Sequence, residues 1–372
     1  MAPRRIILDC DPGNGVPGAN VDDALALAYA LRSPLVDVGA VWTVFGNTPP
    51  DLGYRCASEV IRVVGAGGSG AGGGPSSSPV LRCGPFQPAS GDPQRWLRQR
   101  RESASSPAGL AAWGRRPERA SVREEADEDA AGEVPPARLD DLVDDLRCPE
   151  QTTLVGIGPL TNIARVLTGW GAAPGRVDRI VVMGGALAFG TMVDTNFAVD
   201  PRAARVVVRF GIPVTIVPLD TTRTTCLTRD RWRAIIRRAV VKGPTAVATA
   251  SAFDAWVSPW LSYSEATRPV DGMWVHDLVA LVALVHPELV DSSQHRVDVR
   301  DDGKLVECPD GVLVDIVEAV DNEAMISLWE RTVFDAGAAA MTAPAPLPPG
   351  PAADRSRCRR VPLPTGPAGL AV

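Results

Sequence analysis

The sequence predicts an α/β protein, a single Rossmann-like domain whose central, mostly parallel sheet is flanked by helices. Three observations carry that reading. Short β-branched runs at residues 6–8, 36–44, 153–157, 179–183 and 213–217 have the length and composition of buried strands. Helical patterns at 22–32, 52–64, 139–146, 160–167 and 201–210 alternate with them, as in parallel sheets covered on both faces. An apolar share of 45% in 372 residues is ample for the core such a sheet needs.

In chain order, the first strand runs into Asp9-Cys10-Asp11 and stops at Pro12-Gly13. The next helix opens on Asp22-Asp23 ahead of Ala24-Leu25-Ala26-Leu27, and the second strand leads to Gly46-Asn47. After Leu219 the pattern turns mostly helical, at 229–240, 244–261 and 277–286. A hairpin of 296–299 with 312–317 and a last helix at 323–331 complete the domain, which spans residues 1–336. Three stretches are poor in core-forming residues. Residues 65–78 are a Gly/Ser segment, 98–136 a charged surface insertion, basic and then acidic, and 337–372 a Pro/Ala-rich tail expected to be disordered.

Composition excludes several classes of function. A net charge of −6 argues against binding a nucleic-acid polymer, which needs a basic face. No apolar run reaches the roughly 18 residues of a membrane span, and the N-terminus enters a strand without a secretory signal pattern. Seven scattered cysteines with no Cys-x-x-Cys pair make neither a disulfide framework nor a zinc site. The expectation is a soluble cytoplasmic protein.

The chemistry concentrates at the end of the first strand. With a period of two, Asp9 and Asp11 point to the same side, and Asp22-Asp23 open the helix that follows. Four carboxylates thus meet at the carboxyl edge of the sheet, where open α/β proteins bind ligands. Crowded carboxylates share protons or neutralise a cation. A set of carboxylate oxygens suits a hard divalent ion, and flexible all-oxygen coordination favours calcium over magnesium. The competing structural role is that of helix caps, open to Asp22, Asp23 and Asp277 alike. Gly46-Asn47 alone is equally compatible with a plain turn, and His276 alone with a structural histidine.

Taken together these motifs resemble the nucleoside hydrolase family of the inosine/uridine-preferring type, over most of residues 4 to 333. The family's Asp-x-Asp-Pro-Gly-x-Asp-Asp-Ala motif is matched by Asp9-Cys10-Asp11-Pro12-Gly13 and Asp22-Asp23-Ala24. Its Gly-Asn is Gly46-Asn47, its Gly-Pro-Leu-Thr-Asn is Gly158 to Asn162, and its Val-Met-Gly-Gly is Val182 to Gly185. Its Asn…Asp-Pro segment is Asn196…Asp200-Pro201, and its His-Asp is His276-Asp277.

The resemblance implies calcium-dependent hydrolysis of the N-glycosidic bond of ribonucleosides, with no organic cofactor. It implies that Asp11, Asp23, Asp277 and the carbonyl of Ile157 ligate calcium, that Asp11 is also the general base, and that Asp9 supports the site from behind. It implies ribose contacts from Asp22, Asn47, Met183, Asp194 and Asn196, and a homodimer or homotetramer. The family's other active-site histidine has no counterpart, which leaves His276 as the expected proton donor to the departing base. Trp260 and Tyr263 are stacking or donor candidates, or else ordinary aromatics.

Three departures stand out. Residues 14–21 separate Gly13 from Asp22 where the family commonly has one residue, and this insertion is expected to act as a mobile lid. The loop from Gly185 to Asp194 is short, and Asp194 stands where the family usually has Glu. Two other functions compete. A catalytically silent ribose- or metal-binding relative would keep the same carboxylates. A haloacid-dehalogenase-like phosphatase would use Asp9 as nucleophile and Asp11 as acid, but would leave Asp22 and Asp23 idle.

Overall fold

The computed structural model describes residues 2–65, 78–114, 134–169 and 176–335. The expectations for the Gly/Ser segment, for residues 115–133 and for the tail lie outside them. The strands are β1 (Arg4–Cys10), β2 (Val36–Thr43), β3 (Val80–Cys83), β4 (Thr152–Gly156), β5 (Val177–Met183), β6 (Val214–Val217), β7 (Val290–Val299), β8 (Leu305–Glu307) and β9 (Val312–Val320). They form one sheet in the order β3-β2-β1-β4-β5-β6-β9-β7-β8. Pairing is parallel from β3 through β6 and on to β9, while β7 runs antiparallel to both β9 and β8.

The chain winds outward from β1 through β2 to β3, then crosses to β4 on the other side of β1. The carboxyl ends of β1 and β4 therefore flank a switch point, the place where such sheets open a crevice. The helices are α1 (Asp22–Arg32), α2 (Pro50–Gly65), α3 (Pro93–Ser105), α4 (Pro107–Trp113), α5 (Leu139–Asp145), α6 (Thr161–Gly169) and α7 (Thr195–Val199). They continue with α8 (Pro201–Arg209), α9 (Leu219–Thr222), α10 (Arg229–Ala239), α11 (Pro244–Thr267), α12 (Asp277–Val285) and α13 (Asn322–Phe334).

Alternation along β1 divides the core. Ile6, Leu8 and Cys10 belong to the cluster holding α1, α11 and α12, whereas Ile7 belongs to the one holding α6 and α8. A sheet buried on both faces explains the near-continuous apolar runs in the sequence. Helix starts follow capping rules where the sequence supplies a cap: Asp194 accepts from Phe197 N, and Asp200 caps α8 with Pro201 in its first turn. Neither Asp22 nor Asp277 caps its helix. The N-cap positions are Val21 and His276, and neither makes a side-chain capping bond.

Three expectations need correction. The pairing of 296–299 with 312–317 exists, but β8 intervenes in the chain, so β7 and β9 are not a simple hairpin. The segment at 98–136 is not merely surface decoration: its first part forms the end of α3 and then α4, which packs on α11. Trp113 of α4 lies 6.3 Å from Trp260 and 5.1 Å from Tyr263 between ring centroids. The insertion at 14–21 is packed rather than open. Val16 and Ala19 are buried with Cys56, and the Asn14 amide donates to the Cys56 carbonyl at 3.3 Å. Gly18 has a φ of +80°, and a β-carbon there would overlap the Arg100 carbonyl on α3. The insertion is thus a seat for α3.

Candidate active site

A cavity of about 1100 Å³ opens at the switch point. Asp11, just beyond β1, is buried there, and its Oδ2 accepts from the Asn47 backbone N–H at 2.6 Å. Two glycines allow that approach. A β-carbon at Gly46 would overlap Asp11 Oδ2, and one at Gly158 would lie 2.9 Å from Oδ1. Asp23 is fully buried behind Asp11. Its Oδ1 accepts from the Asp11 backbone N–H at 3.0 Å and its Oδ2 from the Asn47 amide at 3.2 Å.

From the opposite side, α12 brings His276 and Asp277. The His276 backbone N–H donates to Asp22 Oδ2 at 2.9 Å. Oxygens of Asp22, Asp23 and Asp277 lie within 4.8 Å of one another. This compact trio includes Asp22, where the sequence pointed to Asp11 as the third carboxylate ligand. Asp11 adjoins it through a side-chain contact with Asp23, and Asp22 makes a similar one with Asp277.

Burial pushes all four carboxyls above the usual carboxylate range, and their mutual repulsion adds to the rise for Asp11, Asp23 and Asp277. Two carboxyl–carboxyl contacts in one dry nest need a proton or a cation between them. Asp22 Oδ1 is buried with no donor to it. An all-oxygen, acceptor-only donor set fits a hard divalent cation.

Of the remaining expected residues, Asn47, Ile157, Met183, Asp194 and Asn196 line the cavity. Asn196 spends its amide on the Ile157 carbonyl at 2.9 Å and the Met183 carbonyl at 3.1 Å, bridging the ends of β4 and β5. Burial lifts Asp194 to about 6. Asp9 does not line the cavity; its Oδ1 accepts from the Asn162 amide at 2.9 Å, and Oδ2 has no donor. That orientation suits a support behind the site and removes the nucleophile of the phosphatase alternative.

His276 lines the cavity, in surroundings that disfavour its cationic form. Its Nδ1 pairs with Thr222 Oγ1 at 2.7 Å, and burial, with Arg268 and Arg223 nearby, depresses it to about 3. Those surroundings favour the neutral ring, which offers a hydrogen bond. Trp260 and Tyr263 both line the cavity and also pack on Trp113.

The sequence reading missed Arg223, Arg268 and Trp274, which line the same wall, and Arg95 and Arg100 of α3 at its mouth. Trp274 two residues before His276 was the available signal. Arg223 and Arg268 sit on connections with no pattern of their own.

A doubly wound sheet with an acidic pocket at its switch point defines the class: an α/β protein with a ligand crevice at the carboxyl edge of its sheet. The chain belongs to the inosine-uridine preferring nucleoside hydrolase family, whose model matches residues 6–327, and it is therefore an enzyme acting on N-glycosyl bonds. It is 29% identical over 305 residues to the pyrimidine-specific ribonucleoside hydrolase RihA of Photobacterium profundum, covering 81% of this chain and 86% of that one. It is 30% identical over 310 residues to the non-specific ribonucleoside hydrolase RihC of Salmonella agona, covering 81% and 84%. Among solved structures, the purine-preferring ribonucleoside hydrolase from Gardnerella vaginalis shares the fold with a TM-score of 0.65 at 23% identity, over 89% of this chain and 98% of that one.

Proposed function

We propose that the protein hydrolyses the N-glycosidic bond of ribonucleosides, releasing ribose and the free base, with calcium as its metal. The nest of Asp11, Asp22, Asp23 and Asp277 is the observation that carries this reading, because only a cation relieves four buried carboxylates and still leaves them as acceptors. Asp11, Asp23, Asp277 and the Ile157 carbonyl are the proposed ligands, with Asp22 adjoining them and turned to the sugar. When bound, calcium supplies Lewis-acid activation of water and an anchor for the ribose diol.

The residues do the rest. Asp11 takes the proton of the attacking water as its oxygen bonds to C1′, and the C1′–N electron pair leaves with the base. Positive charge grows on the sugar, and the surrounding carboxylates stabilise it electrostatically. Asp22, Asn47, Met183, Asp194 and Asn196 hold the ribose, and Trp260 and Tyr263 flank the base.

No helix among the described residues is long and apolar enough to cross a membrane. The proposal includes a cytoplasmic setting. A homodimer or homotetramer is part of the proposal, and light scattering checks it. The principal test is a panel of ribonucleosides assayed for reducing-sugar release with and without a calcium chelator. Release from at least one ribonucleoside, lost on chelation and restored by calcium, is expected; tight binding with no release from any would mark a silent relative.

A further inference from the structure

Several arginines in this fold face carboxylates. Arg82 meets Asp145 at 2.8 Å, Arg229 meets Glu265 at 2.8 Å, and Arg238 meets Glu330 at 2.6 Å. Two arginines on the cavity wall do not. Arg223 donates to the thioether sulfur of Met192 at 3.3 Å, and Arg268 donates to Thr267 Oγ1 at 3.4 Å. Neither forms an ion pair with a carboxylate among the described residues. Each guanidinium carries five N–H donors in one plane, so most of that capacity is left over.

The faces of both guanidiniums are occupied. Arg223 lies 4.4 Å from the ring centroid of Trp274 and 4.9 Å from that of Phe189. Arg268 lies 4.6 Å from the centroid of Trp260 and 5.4 Å from that of Tyr263. The aromatic contacts hold each cation in place without using its N–H donors, and both residues line the cavity. The two charges also repel, and burial pushes both below the usual arginine value. Two like charges kept close in a partly dry wall, with Asp22 near Arg268 but an ion pair to neither, keep N–H donors for an anion that arrives with the ligand.

We propose that Arg223 and Arg268 form an anion subsite for the base, so that the preferred substrates are ribosides whose base carries an acidic group such as a carboxylate. This rests on the ribohydrolase reading. The carboxylate nest holds the sugar end, and the arginines sit on the aromatic surfaces against which a planar base stacks. The same guanidiniums face the electron pair that the base acquires when C1′–N breaks, so they also oppose the charge growing on the leaving group.

The test compares orotidine, uracil riboside bearing a carboxylate, with uridine, and orotate with uracil as binding probes. Uridine 5′-monophosphate places an anion at the other end of the sugar. In the wild-type protein, calorimetry is expected to find orotate bound at least about tenfold more tightly than uracil, the factor that 1.4 kcal/mol represents. The kcat/KM for orotidine is expected to exceed that for uridine. R223Q and R268Q, checked for folding by circular dichroism, should each lower the orotidine-to-uridine ratio by about tenfold or more. Orotate binding no tighter than uracil overturns the proposal, as does an unchanged ratio in the folded variants or a preference for the 5′-phosphate over orotidine. No sugar release from any riboside would count against the ribohydrolase reading instead, and the orotate and uracil titrations would still decide the anion subsite.

Discussion

The backbone N–H of His276 donates to Asp22 Oδ2 at 2.9 Å across 254 positions of sequence. This bond joins the start of α12 to the start of α1 and leaves Asp22 Oδ1 buried without a donor. A ribose hydroxyl is the natural donor to complete it. Asp22→Ala is therefore expected to raise KM for a good riboside by about tenfold or more, the worth of one charge-assisted hydrogen bond, with a smaller change in kcat. Steady-state kinetics separate the two parameters. A collapse of kcat at constant KM would assign Asp22 to the metal and not to the sugar.

Asp11 faces the cavity between two glycines that leave it no slack. Asp11→Asn keeps the shape and removes the base, so turnover should fall by ~10²–10⁴ while the fold persists. Single-turnover rates with a thermal melt on the same sample check both halves. Near-normal turnover in a folded variant refutes the general-base role.

Asp23 and Asp277 contribute oxygens to the compact carboxylate group, and Asp277 makes no capping bond in α12. Each substitution to Ala removes an anionic ligand, so calcium affinity should drop in both variants, measured by titration calorimetry. Were Asp277 a cap, its loss would cost about 1 kcal/mol of stability and leave calcium binding intact.

Metal-free stability should depend on pH in a definite direction. Burial raises the carboxyls of Asp11, Asp22, Asp23 and Asp277 above their ordinary values. A group raised in the folded state supports folding fully below its unfolded value of about 3.9 and loses that support as pH climbs through the folded value. The chelated protein should thus melt at falling temperature as pH rises from the ordinary carboxylate range toward neutrality. Calcium should reverse the fall, adding about 2.7 kcal/mol at a hundredfold excess over Kd. Scanning calorimetry with chelator and with calcium, at about pH 5 and about pH 7.5, gives the comparison. A calcium effect larger at the lower pH would contradict it.

Much of this was legible in the sequence because β1 and its following helix are local. Asp9, Asp11, Asp22 and Asp23 sit within one strand–helix unit, and period-two alternation placed the first pair. The central strands announced themselves because both their faces are buried. The edge strand β3 did not: only Cys83 of its four residues is buried, so it shows no apolar run. The cavity wall was illegible for a related reason. Arg223 and Arg268 take their places through loops and long-range stacking on Trp274 and Trp260, which leave no periodic trace. Helix α3 hid within a charged stretch whose only buried residue in the helix is Trp96.

The departing base gives the last prediction. A purine leaves poorly as an anion, so a histidine at this position suggests general-acid catalysis, and loss of a general acid costs ~10²–10⁴ in rate. The surroundings of His276 argue for a smaller effect. Its pKa is pushed down to about 3 by burial and by Arg268 and Arg223, and Nδ1 is engaged with Thr222 Oγ1. What the ring retains is one hydrogen bond, worth about 0.5–1.5 kcal/mol, or up to roughly tenfold in rate. His276→Ala should therefore slow inosine cleavage by no more than about tenfold beyond its effect on p-nitrophenyl riboside, whose phenolate departs without a proton. The comparison holds the ribose contacts and the metal fixed and varies only the demand on the leaving group. A selective loss of about a hundredfold or more on inosine would mean that His276 is protonated when substrate is bound, and that the arginine wall does not hold it neutral.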